Sequence, residues 1–124
     1  LSVTPLVHDV ALIKKEVLPT PARLHHISYW LNDSQDILRA ADILKENGLQ
    51  FIGPGKHGVS QAIYLYVMDP GSGCRVELFS GGYLIFEPDW EPVEWTMEER
   101  ALSNTYWGDT VQDKELNNIT IEAR

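Results

Sequence analysis

LHHISYWLNDSQDILRAADILKENGLQFI, from Leu24 to Ile52, holds the transition that decides the fold. Its opening residues, Leu24 to Leu31, are aromatic and branched, the composition of a strand. Asn32, Asp33 and Ser34 then offer side-chain oxygens for a helix N-cap. Ile37, Leu38, Ala41, Ile43 and Leu44 recur at close to the helical period, so residues 32–48 are predicted helical. Gly48 is placed to end that helix in a left-handed conformation. Leu49 to Ile52 predicts a short strand, and Gly53-Pro54-Gly55 a turn.

Downstream, Gln61 to Met68 (QAIYLYVM) and Arg75 to Ser80 (RVELFS) predict two further strands. Asp69-Pro70-Gly71-Ser72-Gly73 between them has strong turn chemistry. The order from residue 23 is therefore βαβββ, an α+β module over residues 23–82. A unit of roughly 60 residues buries too little surface to be comfortable alone and is expected to pair with a second copy. Upstream, Val7 to Ile13 predicts one strand, and Lys14 to Ala22, with two prolines, a linker. Residues 1–22 are thus expected to be the end of a preceding module and its linker. Residues 83–124 are aromatic and acidic, with Trp90, Trp95 and Trp107. They are expected to form a tail packing on the module, with a short helix at Met97–Leu102 and the tryptophans as core cover and active-site wall.

The 124 residues carry a formal net charge of −8, with no basic run. That balance excludes a nucleic-acid binder, because neutralising phosphates needs clustered Lys and Arg. No apolar stretch approaches the ~20 residues of a membrane span. A single cysteine, Cys74, permits no disulfide within the chain, and a cytoplasmic location is expected.

Alternation along the strands sorts the polar side chains. Leu24, His26, Ser28 and Trp30 share one face of the first strand, with His25, Ile27, Tyr29 and Leu31 on the other. The two adjacent histidines are therefore expected to point opposite ways. Tyr64, Tyr66 and Met68 share a face of their strand, as do Arg75, Glu77 and Phe79 of theirs. A carboxylate among Val76, Leu78 and Phe79 needs a partner if buried: a base, a hydrogen-bond network or a metal. Two imidazoles and a carboxylate on one side of a metal would suit Fe(II) with O2 and a bidentate substrate. Spacing alone leaves other readings open. His26 could be a core histidine bonded to a carbonyl, and Glu77 could pair with Arg75 at an exposed strand end. His8, His57 and Tyr66 could be a surface residue beside Asp9, a loop residue among glycines and a packed aromatic.

In order, the motifs Arg23-Leu24-His25-His26, Gly53-Pro54-Gly55-Lys56-His57-Gly58, Tyr64-Leu65-Tyr66 with Asp69-Pro70, and Arg75-Val76-Glu77 resemble the second module of type I extradiol ring-cleaving dioxygenases. These are the catechol 2,3-dioxygenase and homoprotocatechuate 2,3-dioxygenase kind, within the vicinal oxygen chelate superfamily. The resemblance runs from Val7 to about Gly82. It implies an enzyme that opens catechol or an alkylcatechol with O2 to a 2-hydroxymuconic semialdehyde, using Fe(II) or, as the alternative, Mn(II). It implies His26 and Glu77 as metal ligands. It also implies His8 as acid or base beside O2, His57 as a hydrogen-bonding residue near substrate and metal, and Tyr66 as a contact to the substrate oxygens. Ile52 stands where homoprotocatechuate enzymes place an arginine, which favours an uncharged catechol. The family's first iron-ligating histidine has no counterpart among His8, His25, His26 and His57, so an upstream module is expected to supply it. The isolated chain is then expected to be inactive, and the full enzyme a homo-oligomer. The alternatives are a glyoxalase-like metal isomerase of the same superfamily and a metal-free ligand-binding module.

Overall fold

The computed structural model describes residues 1–12, 23–109 and 121–122. Strands β1 (Arg23–Leu24) and β2 (Ile27–Trp30) lead into helix α1 (Ser34–Glu46), followed by strands β3 (Phe51–Lys56), β4 (Ala62–Met68) and β5 (Arg75–Gly81). A second helix, α2 (Arg100–Asn104), and two short strands, β6 (Trp107–Gly108) and β7 (Ile121–Glu122), complete the order. The βαβββ module is thus present, in a five-stranded sheet of order β2-β5-β4-β3-β6. β2 runs parallel to β5, and the other neighbours are antiparallel.

Helix α1 forms where its caps dictate. Asp33 is extended and its carboxylate accepts the Gln35 N–H at 2.8 Å, satisfying one of the helix's orphan donors. Gly48, at φ 72°, takes the left-handed conformation past the other end. Ile37 is fully buried where α1 packs on the sheet, but Leu38 and Ile43 stay about half exposed. They lie about 100° and 120° around the helix from Ile37, off the face formed by Ile37, Ala40, Ala41 and Leu44. The core is small: Ile37, Ala62, Tyr64, Leu65 and Tyr66 are its buried hydrophobic residues.

Several expectations need correction. No strand forms over residues 7–12, and Ile13 lies outside the described residues. The Asp9 carboxylate instead accepts the N–H groups of Val3 and Thr4 at 2.6 and 2.9 Å, folding this segment into a loop. A single bridge, Leu6 to Leu84, ties that loop to the module. The expected linker, Lys14–Ala22, also lies outside the described residues. The predicted strand Leu24–Leu31 is broken at His25-His26. Its first part pairs with β7, its second with β5. Gly53-Pro54-Gly55 does not turn the chain but sits inside β3 as a register shift against β4. Gly55 lies under the Tyr64 ring, where a Cβ would come within 2.5 Å of the ring atoms, so the motif's missing side chains admit a close crossing.

The tail helix begins later than expected, at Arg100. A reciprocal box precedes it: the Glu99 carboxylate accepts the Thr96 N–H at 3.0 Å, and the Thr96 hydroxyl accepts the Glu99 N–H at 3.3 Å. Trp90 and Trp107 remain partly exposed, so tyrosines rather than tryptophans fill the aromatic core.

Candidate metal centre

Strand register builds the site. Ile52, Tyr66, Glu77 and Ser28 are paired across β3, β4, β5 and β2, so their side chains form one row on one face. Glu77 is the hub. Its Oε2 lies 3.1 Å from His26 Nε2 and accepts a hydrogen bond from the Ser28 hydroxyl. Its Oε1 lies 3.2 Å from His57 Nε2, which is also 3.1 Å from the Tyr66 hydroxyl. Glu77 is only 7% exposed and Tyr66 only 6%. His26 stands edge-on to Tyr66, with ring centroids 5.4 Å apart.

The electrostatics follow from this packing. Burial alone would raise the Glu77 carboxyl. Hydrogen bonds from His26 and His57, the attraction of His26 and the bond from Ser28 outweigh it, holding the group well below the usual carboxylate range. Burial, then the neighbouring Glu77 charge, pushes the Tyr66 phenol well up, so it stays a neutral donor. His8 sits on the partly exposed N-terminal loop. Burial lowers its pKa, while Glu77 acts in the opposite sense and His57 and His26 add to the lowering.

His25 and His26 do not diverge as alternation predicts. Their Nδ1 atoms meet and their rings are 4.7 Å apart, because the strand is broken at these two residues. Burial, then His26 and Arg75, push His25 down to about 4, so it supports His26 as a neutral ring. Arg75, which the alternative of an ion pair with Glu77 set at an exposed strand end, is 2% exposed and thus part of the interior. Two participants escaped the sequence reading. Ser28 follows His26 by two residues on the same expected face, and that spacing was the available signal. The Asn104 carbonyl, which meets His57 Nδ1, is a backbone group and leaves no trace in residue type.

The donor set fits a divalent cation held by an imidazole and a carboxylate. Metal–ligand bonds of roughly 2.1 Å at right angles separate two donor atoms by about 3.0 Å. The His26 Nε2 to Glu77 Oε2 separation is 3.1 Å. Among the described residues no group of three or more such side chains forms a complete cage. Two such donors would not fill the coordination shell of a divalent cation.

Fold and site together define a βαβββ module with a carboxylate and imidazoles gathered on one face of its sheet. The chain belongs to the Glyoxalase/Bleomycin resistance protein/Dioxygenase superfamily, whose model matches residues 7–78. It is 59% identical over 110 residues to a manganese-dependent 2,3-dihydroxybiphenyl 1,2-dioxygenase of Geobacillus genomosp. 3, covering 87% of this chain and 35% of that one. It is 42% identical to a metapyrocatechase of Geobacillus stearothermophilus, over 86% of this chain and 33% of the relative. Among solved structures it resembles the 2,3-dioxygenase LapB from Pseudomonas sp. KL28, with 40% identity and a TM-score of 0.68 over 77% of this chain and 32% of that one. Homoprotocatechuate 2,3-dioxygenase from Arthrobacter globiformis gives 26% identity and a TM-score of 0.70, over 82% and 32%. The chain therefore spans about a third of the length of the curated relatives it matches.

Proposed function

We propose that this chain is the metal-bearing module of an extradiol dioxygenase, which opens an aromatic ring bearing adjacent hydroxyls with O2. The observation that carries this reading is the row Ser28–Glu77–Tyr66–Ile52, with His26 and His57 converging on Glu77. In this reading residues 23–82 are the metal-site module. Residues 1–22 are a connection to a preceding module, and residues 83–124 a covering tail. His26 and Glu77 hold Mn(II) or Fe(II). The 59%-identical relative is named manganese-dependent, which supports Mn(II) alongside Fe(II). The third ligand is a histidine of the part of the protein outside this chain, which spans about a third of the length of its curated relatives.

The bound metal supplies Lewis acidity toward the diol oxygens and the electron route between diol and O2. The protein's residues do the rest. Ser28 fixes the free side of the Glu77 carboxylate by donating to Oε2. The Tyr66 hydroxyl, kept protonated by burial, is a donor at the place where a diol oxygen would sit. His57 Nε2 faces the same place from the other side of Glu77 and can hold or pass a proton there. His8, neutral and on the exposed loop, is positioned to exchange protons between the site and solvent. Ile52 presents an apolar wall beside Tyr66, which fits an uncharged catechol, alkylcatechol or arylcatechol better than a carboxylated one.

The test is to express the whole protein with Mn(II) or Fe(II) and follow a coloured ring-fission product from catechol, 3-methylcatechol and 2,3-dihydroxybiphenyl under air. Glu77→Ala should abolish turnover and metal retention together. Full activity in Glu77→Ala would refute the ligand role. Absence of ring-fission product from all three diols by the metal-loaded wild type would refute the dioxygenase reading.

A further inference from the structure

The sheet carries a second row on its other face. Trp107, Lys56, Ile63 and Ser80 are paired in turn across β6, β3, β4 and β5. Ile63 and Ser80 each stand three residues from a member of the Glu77 row, Tyr66 and Glu77. Alternation therefore turns this second row away from the metal site. The row lines a cavity of about 530 Å³, together with Asp33 at the start of α1. That volume is ordinary for a small-molecule site.

The two ends of the cavity differ in polarity. At one end stands Lys56, its ammonium 5.8 Å from the centre of the Tyr106 ring. Lys56 forms no ion pair among the described residues. Beside it, Trp107 leaves about half its surface uncovered. The other end is Ser80, next to the start of α1, because the Leu31 N–H donates to the Phe79 carbonyl and carries the chain past β5. Ser80 is 2% exposed, yet its hydroxyl makes no hydrogen bond among the described residues. A buried hydroxyl is ordinarily paired, so this one points to a missing partner. Asp33 spends Oδ1 on the Gln35 N–H at 2.8 Å, which leaves Oδ2 open as an acceptor at the same end. Lys56 and Ser80 lie two strands apart, about 10 Å between backbones. Ile63 lies between them and gives an apolar floor.

We propose that this cavity is a binding site for a small planar carboxylate that carries a hydroxyl at its far end. The carboxylate meets Lys56, the ring lies over Ile63 against Trp107, and the hydroxyl meets Ser80 and Asp33. Asp33 also sets the polarity: a second carboxylate at its end would face a like charge. The site is separate from the Glu77 row and does not rest on the dioxygenase reading.

The experiment is calorimetric titration of the Mn(II)-loaded whole protein with 4-hydroxybenzoate, benzoate and terephthalate. The wild type should bind 4-hydroxybenzoate more tightly than benzoate, and terephthalate more weakly than either. Lys56→Met should weaken 4-hydroxybenzoate and benzoate alike, about tenfold or more, as the loss of one charge-assisted contact. Ser80→Ala should weaken 4-hydroxybenzoate roughly threefold and leave benzoate unchanged, because only the former reaches that hydroxyl. Should Lys56→Met unfold, the comparison of the two ligands in Ser80→Ala carries the test. No binding of 4-hydroxybenzoate by the wild type at millimolar ligand would overturn the proposal. So would binding unmoved by both variants, which would place the ligand elsewhere, on the metal included. Terephthalate bound more tightly than 4-hydroxybenzoate would overturn the polarity on which the site is argued. A protein that cleaves no diol but shows this binding pattern would sink the dioxygenase reading and leave this site standing.

Discussion

Glu77 concentrates the account at the scale of single residues. Its two oxygens divide the work, Oε2 facing His26 and Ser28 and Oε1 facing His57. Ser28→Ala removes a donor from Oε2 while leaving the carboxylate in place. Supporting groups of this kind are worth about 10- to 100-fold in metal affinity. Mn(II) titration of the whole protein should therefore show weakening within that range for Ser28→Ala, and recovery in Ser28→Thr, which keeps the hydroxyl. An unchanged affinity in Ser28→Ala would remove Ser28 from the site. The pairing of His26 with Glu77 was legible from motif order through the family resemblance, while strand alternation alone left open what each residue meets. The contact of His25 with His26 was not, because alternation assumes an unbroken strand and this one breaks at those two residues.

Helix α1 and the turns show why some elements were readable and others were not. The helix was legible because its signals are local: Asp33 caps it, and Gly48 ends it. Asp33→Ala should cost about 1 kcal/mol. Ile37→Ala should cost about 2–4 kcal/mol, as a cavity in a small core. Both are measured by denaturant melts. Strand β3 was misread because Gly53-Pro54-Gly55 has the composition of a turn, while the reason for its glycine lies across the sheet at Tyr64. The β4–β5 turn was read correctly, since Asp69 supplies its own bonds. Its carboxylate accepts the Ser72 N–H at 2.8 Å. Bonds from the Ser72 hydroxyl and N–H hold Asp69 below its ordinary 3.8. A carboxyl depressed on folding contributes stability that is complete above its unfolded value and is lost as pH falls toward the folded one. The melting-temperature gap between wild type and Asp69→Asn should hence be constant at neutral pH and shrink below about pH 4. A gap that widens in acid would contradict this.

At the scale of the molecule, the polar row lies on one face of a five-stranded sheet. The sheet face is organised around Glu77, yet Ile27, Tyr29 and Trp30 of β2 remain about half exposed among the described residues. Sequence order alone conveyed the module and its place in the superfamily. It did not convey the N-terminal loop, where Asp9 bonds backbone groups that a strand would have used. If the third metal ligand lies outside this chain, the 124 residues alone should bind Mn(II) far more weakly than the whole protein. Parallel calorimetric titrations check this, and equal affinities would show that the site is complete as it stands. The most direct test is anomalous scattering at the manganese edge from crystals of the Mn(II)-loaded whole protein. The predicted result is one peak roughly 2.0–2.3 Å from both His26 Nε2 and Glu77 Oε2; a peak bonded to neither atom, with the two side chains still in contact, would contradict the account.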